Sequence, residues 1–431
     1  MTRQRSRHDA TAIPDGSRAS LSAWRFVVWF GVVAMFADVV YEGARSITGP
    51  LLASLGASAL VVGVVTGVGE SAALLLRLVS GPLTDRSGRF WSWTLAGYGL
   101  TVVSVPLLGL ASALWVAAGL VVAERVGKAV RSPAKDTLLS HATAVTGRGR
   151  GFAVHEALDQ VGALTGPLLV AGVLAATGDD YRPALLVLAV PGAIAFGLAV
   201  WLRLRVPRPA DYEPARAAPS GTATDPGTGP VAGRPVAGHS TGGTARLPRV
   251  FWAYAGFAGL TMVGFSTFGV LSFHLVTAGL LPAAAVPVLY AAAMVVDALA
   301  AVATGLAYDR YGTGVLVLLP VVAATVPVLA FSGTVAVAVV GALAWGLALG
   351  VQESTLRATV ADLVGPGRRA TAYGAFGAVL GVAAAAGGVL SGGLYEVSVP
   401  LLVAVTAAVQ VLALAVLVTT LRRVRSSRPG L

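Results

Sequence analysis

The stretch Gly81–Arg89, GPLTDRSGR, decides how this chain is read, because a degenerate second copy, GLAYDRYG, recurs at Gly305–Gly312. Both copies sit between uncharged runs of Val, Leu, Ala and Gly. The Gly-x-x-x-Asp-Arg-x-Gly segment is too polar for hydrocarbon, where one charge at a helix centre costs about 2.5–3.5 kcal/mol. Each copy is therefore expected to form a turn at an aqueous face, capping a membrane-crossing helix. Two copies imply a duplicated membrane protein.

Composition agrees. Apolar residues make up 56% of the 431 positions and charged ones 12%, and the mean hydropathy is +0.78. Water-facing domains carry about 25% charged residues, so a soluble fold is excluded. The chain has no cysteine, which removes disulfides, thiolate chemistry and Cys-ligated metals. A net charge of +11 raises nucleic acid as a partner. The basic residues, however, lie in short loops and tails flanking apolar runs, and that pattern argues against it.

A spanning helix needs roughly 20 apolar residues, and twelve such runs can be marked. They are Trp24–Gly43, Ala57–Val79, Trp91–Ala111, Ala113–Val130, Phe152–Ala176 and Pro183–Leu204, then Val250–Ala278, Ala284–Ala307, Gly314–Phe331, Val335–Leu356, Thr371–Leu394 and Val399–Leu421. The expected fold class is an all-α polytopic membrane protein with two six-helix bundles, 24–204 and 250–421. A cytosolic tail (1–23), a Pro/Gly/Ala/Thr-rich flexible linker (205–249) and a basic tail (422–431) complete the organisation. With the N-terminus inside, all but Arg45 and Arg182 of the 31 basic residues fall on the cytoplasmic side or in cytoplasmic helix ends. This predicts a multi-pass protein of the bacterial inner membrane with both termini cytosolic.

The repeat extends beyond the two turns. Arg131-x-x-x-x-Asp136 matches Arg357-x-x-x-x-Asp362, and Ala153 with Gly162 matches Ala372 with Gly381 at identical spacing. Parallel six-span halves around an axis along the membrane normal are a transporter architecture with the substrate site between them.

These residues resemble the major facilitator superfamily, whose loop between spans two and three reads Gly-x-Leu-(Ala/Ser)-Asp-Arg-x-Gly-Arg-Arg. Gly81, Leu83, Asp85, Arg86, Gly88 and Arg89 match it, while Thr84 and Phe90 depart from it. The segment Arg125–Leu138, RVGKAVRSPAKDTL, is similar to a bacterial branch with Arg-x-Gly-Lys-x-x-Arg-x-x-x-Arg-Asp at this place, Lys135 standing for the last arginine. The resemblance implies alternating access with a cytoplasmic gate at Gly81, Asp85, Arg86, Gly88, Arg89, Arg131 and Asp136, echoed by Asp309 and Arg310. In it Asp85, Arg89 and Arg131 would latch the halves in the outward-open state; the alternative is that they only fix topology. Gly162, Gly166 and Pro167 are similar to a Gly-Pro motif of proton-coupled exporters, although Val170 and Ala171 replace its glycine pair, and a generic packing motif is the alternative.

Charges inside the spans carry the functional expectation. Asp38 and Glu42, with Arg45 a turn beyond, share a face of span one. Glu70 lies in span two, Arg125 in span four, and His155, Glu156 and Asp159 in span five. The repeat aligns those last three with Gly374, Ala375 and Ala378, so the acid-base cluster occurs in one half only. Asp38, Glu42, Glu70, Arg125, His155, Glu156 and Asp159 are thus the candidate proton-coupling and substrate residues, and the C-terminal half is expected to supply an apolar wall. Lys128 reads as a gate or interface residue, Glu353 and Arg357 as an ordinary i,i+4 ion pair, and His274 as a packing residue. No phosphate-binding loop, metal-ligand constellation or nucleophile turn is present. The chain is therefore expected to be no enzyme and to hold no cofactor, drawing on a proton gradient, with sodium an alternative ion.

The expected activity is proton-coupled transport of a small amphipathic organic molecule by a monomer in the bilayer, as an efflux antiporter. Proton-coupled import of a metabolite or siderophore is the alternative, and a non-transporting membrane sensor ranks lower.

Overall fold

The computed structural model describes residues 21–213, 247–365 and 368–426. Most of the linker expected at 205–249, most of the N-terminal tail and the last residues of the basic tail lie outside them.

The described residues fold into helices without strands. The first half comprises α1 (Ala23–Ser54), α2 (Ala59–Leu75), α3 (Arg77–Ser87), α4 (Phe90–Leu108), α5 (Leu114–Thr146), α6 (Arg148–Thr177), α7 (Tyr181–Leu186) and α8 (Ala189–Arg205). The second comprises α9 (Arg249–Val263), α10 (Phe268–Thr277), α11 (Ala285–Tyr311), α12 (Leu318–Ala330), α13 (Val335–Leu363), α14 (Arg369–Val397) and α15 (Val399–Ser426). Among the described residues, nine segments are long and apolar enough to cross a membrane, and one of these, Ala285–Ala330, joins α11 to α12. With α4 and the charge-bearing α5, the helical runs correspond to the twelve expected from sequence.

Boundaries differ where charge ended the sequence reading too early. The GPLTDRSGR segment is not a loop: the helix continues to Ser87, and the chain turns only at Gly88, whose φ of +61° caps α3. Likewise α1 runs past Gly43 to Ser54, and α5 runs past Val130 to Thr146. A polar residue need not end a helix when it meets a partner inside the bundle, and Arg45 and Arg125 both do.

Lipid chains offer no hydrophobic drive between helices, so close backbone packing by small residues holds them. Gly162 and Gly166 of α6 lie against the α1 backbone at Met35, Val39 and Gly43. The Gly-Pro stretch thus has a packing role here. Across the halves, Gly63 and Gly67 of α2 meet Gly388 and Ala384 of α14, backbone to backbone.

We call the end of the bundle where α1 begins the near end and the opposite one the far end. Among the described residues, four hydrogen bonds join the halves in the far part. The amide of Leu60, opening α2, donates to Glu396 Oε1 at the close of α14 (2.7 Å). The amide of Ala284, opening α11, donates to Asp179 Oδ1 just past α6 (2.9 Å). These two contacts are equivalent under the internal repeat, each placing a carboxylate of one half on a helix N-terminus of the other. Thr66 and Thr267 share a hydroxyl bond of 2.9 Å, and Tyr290 donates to Glu42 Oε2.

Candidate functional site

A cavity of about 630 Å³ lies between the halves. It runs from Thr48 and Thr267, beneath the far-end contacts, to Arg77, Leu78, Arg357 and Tyr373 toward the near end. Leu78 and Tyr373 there are 40% and 39% exposed. The two walls are chemically different.

The first half supplies charge. Its centre is the buried hydroxyl of Tyr41, which three cations approach: Arg45 Nη1 at 3.0 Å, Arg125 Nη1 at 2.8 Å and Lys128 Nζ at 2.9 Å. The Tyr41 ring also faces these cations, with Lys128 Nζ 4.0 Å and Arg125 Cζ 4.7 Å from its centroid. Glu70 bridges the arginines, its Oε1 lying 3.0 Å from Arg45 Nη2 and 3.3 Å from Arg125 Nη1. Glu124 pairs with Arg125 Nε at 3.2 Å and Glu42 with Arg45 at 3.7 Å. Helical spacing explains the assembly: Tyr41 and Arg45 stand one turn apart on α1, as do Arg125 and Lys128 on α5.

The second half supplies rings. Phe265 stacks on Trp345 at 6.0 Å and 10°, and Phe268 meets the same indole at 5.2 Å. Phe376, Leu349 and Leu380 extend this surface. These residues form an apolar part of that wall, which Gln352, Glu353 and Arg357 of the same half also line. Gly374, aligned by the repeat with His155, lines it as bare backbone. Glu353 and Arg357 also line the cavity but make no ion pair with each other, contrary to expectation. Their i,i+4 spacing permits a pair, and both instead face the cavity.

A second cluster lies behind the charged wall, nearer the near end. Lys135 Nζ stands 3.1 Å from His155 Nε2 and 3.6 Å from Asp159 Oδ2, and the His155 and Asp159 side chains are 3.6 Å apart. An ammonium can only donate, so Nε2 accepts and a neutral ring carries its proton on Nδ1. That Nδ1 and Asp159 Oδ1 are buried without a partner. Glu156 is exposed and makes no ion pair among the described residues. Asp38 is half-buried on α1 beside Gly162 of α6. Of the candidates, Glu70 and Arg125 therefore share one cluster, with Glu42 at its edge, and His155 and Asp159 share another.

The expected gate residues do not meet. Asp85, Arg86, Arg89, Asp136, Asp309 and Arg310 are exposed, with Gly81 and Gly88 at the same near end. Arg131 is buried instead, donating to Thr101 Oγ1 at 2.8 Å over the Tyr98 ring at 5.0 Å. Sequence reasoning missed Tyr41 and Arg77 and read Lys128 as a gate or interface residue. The available signal was that Tyr41 precedes Arg45 by one turn.

The profile of the Major Facilitator Superfamily matches residues 30–388. The chain belongs to this superfamily. It is 62% identical over 398 residues to uncharacterized proteins of Mycobacterium tuberculosis and Mycobacterium bovis, covering 92% of this chain and 93% of each relative. An uncharacterized MFS-type transporter of Methanocaldococcus jannaschii is 28% identical over 144 residues, 33% of this chain and 36% of the relative. The fold resembles the crystal structure of the nucleoside transporter NupG, with a TM-score of 0.68, 12% identity, and 92% and 99% of the two chains covered. It also resembles a bacterial homologue of the human lysosomal transporter Spinster, inward-facing and unoccupied, with a TM-score of 0.63, 14% identity and 94% and 96% coverage. As a superfamily member this multi-pass protein is a transporter of a small molecule and not an enzyme.

Proposed function

We propose that this protein is a proton-coupled secondary transporter that exports a small amphipathic organic molecule by alternating access, as a monomer of the bacterial inner membrane with both termini cytosolic. The observation that carries the coupling is the part-buried Lys135–Asp159–His155 cluster, present in one half only, in which His155 Nδ1 and Asp159 Oδ1 are buried without partners. Proton arrival at Asp159 removes the counter-charge of Lys135. Lys135 stands two turns from Lys128 on α5, with Pro133 between them, so the cluster and the cavity wall are joined through one helix that a proline interrupts. The superfamily fold, the cavity between the halves and the basic near end support the rest. With cytosolic termini, the near-end opening corresponds to an inward-facing state.

The test is proton movement in proteoliposomes containing an interior pH dye, with candidate substrates added to wild type, Asp38→Asn and Asp159→Asn. Substrate-driven proton flux that Asp159→Asn abolishes supports the coupling, and the sign of the flux separates export from import. Substrate movement without a pH response, or normal coupling in both variants, refutes it; replacing sodium in the same vesicles shows whether that ion substitutes.

A further inference from the structure

The cavity wall holds more donors than acceptors. A hydroxyl oxygen accepts two hydrogen bonds, yet three cationic groups converge on that of Tyr41. Glu70 Oε1 already serves both Arg45 and Arg125. Lys128 has no carboxylate at ion-pairing distance among the described residues, and neither do Arg77 and Arg357. Arg77 gives Nη2 to Ser132 Oγ at 3.3 Å and leaves its buried Nε without a partner. Against five cations on the lining stand two acids there, Glu70 and Glu353, and two just behind it, Glu124 on Arg125 and Glu42 on Arg45, so one positive charge remains uncompensated. A low-dielectric site with surplus positive charge and unfilled donors favours an anion and repels a cation.

We propose that the cavity takes an organic anion with a ring-bearing or otherwise apolar body. Its carboxylate, sulfonate or phosphate group is received by Arg125, Lys128 and Arg45 around Tyr41, with Arg77 toward the opening. Its body lies on the platform of Phe265, Phe268 and Trp345. This inference rests on the transport reading above and names its substrate class. The volume of about 630 Å³ suits one drug-sized molecule. Guanidinium groups offer paired donors to planar or tetrahedral oxyanions, and Lys128 adds a point charge. A free anion and an anionic lipid headgroup share this chemistry.

The test measures equilibrium binding to the full chain in phosphatidylcholine nanodiscs, by calorimetry and by the rise in melting temperature. The probes are 2-naphthoate, 2-naphthalenesulfonate and 2-naphthyl phosphate, against 2-naphthalenemethanol and 2-naphthylmethylammonium of similar size. At least one anion is expected to bind ten-fold or more tightly than the neutral and cationic probes. Lys128→Gln and Arg77→Gln each reduce that affinity about ten-fold, and Lys128→Arg restores most of it. Ammonium binding as tight as that of the best anion, binding by none of the three anions, or undiminished anion affinity in both Gln variants overturns the proposal. In phosphatidylglycerol nanodiscs, unchanged binding assigns the site to a soluble anion, and competitive loss assigns it to a lipid headgroup. No gradient is present, so failure of proton coupling leaves this result standing. Proton-coupled flux of a cation would sink this inference alone.

Discussion

Gly388→Leu is expected to open the far end. A side chain at this position would run into the Gly63 carbonyl and meet Gly67 Cα at 2.9 Å, both backbone atoms that cannot rotate away. Inserting bulk into a tight contact costs typically 1–3 kcal/mol. The cost falls on the state in which α2 and α14 touch, and not on one in which they have separated. At about 1.4 kcal/mol per factor of ten, the open-to-closed ratio at the far end should rise roughly 5- to 150-fold. The chain has no cysteine, so spin labels at Ser58→Cys and Val397→Cys report on this end without background. Pulsed dipolar spectroscopy should show a longer distance gaining population in Gly388→Leu, with Gly388→Ala intermediate. Gly172→Leu, at a position where an added carbon meets no neighbour within 4 Å, should leave the distribution unchanged. If Gly388→Leu folds and the short distance persists undiminished, the crossing is not the contact that opens.

Three further outcomes follow from the same geometry. Gly162→Leu should lower the melting temperature in detergent and the yield of folded protein, because α6 loses its approach to the α1 backbone, at a cost of about 3 kcal/mol or more. Lys135→Met should destabilise by about 3–5 kcal/mol, since it strands Asp159 beside a neutral ring. Lys135→Met with Asp159→Asn should recover most of that loss, and an additive pair would refute the ion pair. If the cargo is a monoanion exchanged for one proton, two charges cross per cycle, worth about 4.6 kcal/mol per 100 mV. Export should then accelerate under an inside-negative potassium diffusion potential, and potential-independent flux would contradict that stoichiometry.

The helices and their duplication could be read from the chain because hydrocarbon tolerates few charges, so Gly81–Arg89 and its echo stand out without structural help. The site was legible only in part. Glu70 and Arg125 showed themselves as charges where none should be, as did Asp159 and His155. Tyr41 did not, because a tyrosine in a span costs little and draws attention only once three cations are seen around it. Glu353 and Arg357 misled for the converse reason: spacing permits a pair, but the rotation of α13 turns both toward open space. The near-end carboxylates at Asp85 and Asp309 carry the motif yet are exposed and make no ion pair across the halves among the described residues, which the motif alone does not reveal.

The two far-end contacts made by Glu396 and Asp179 also bear on how the halves can move. Each holds the first turn of a helix in the opposite half, and the repeat sets them on either side of the axis between the halves. Under the alternating access proposed above, opening the far end would have to break both contacts, one on each side of the axis, together with the α2–α14 crossing beside them.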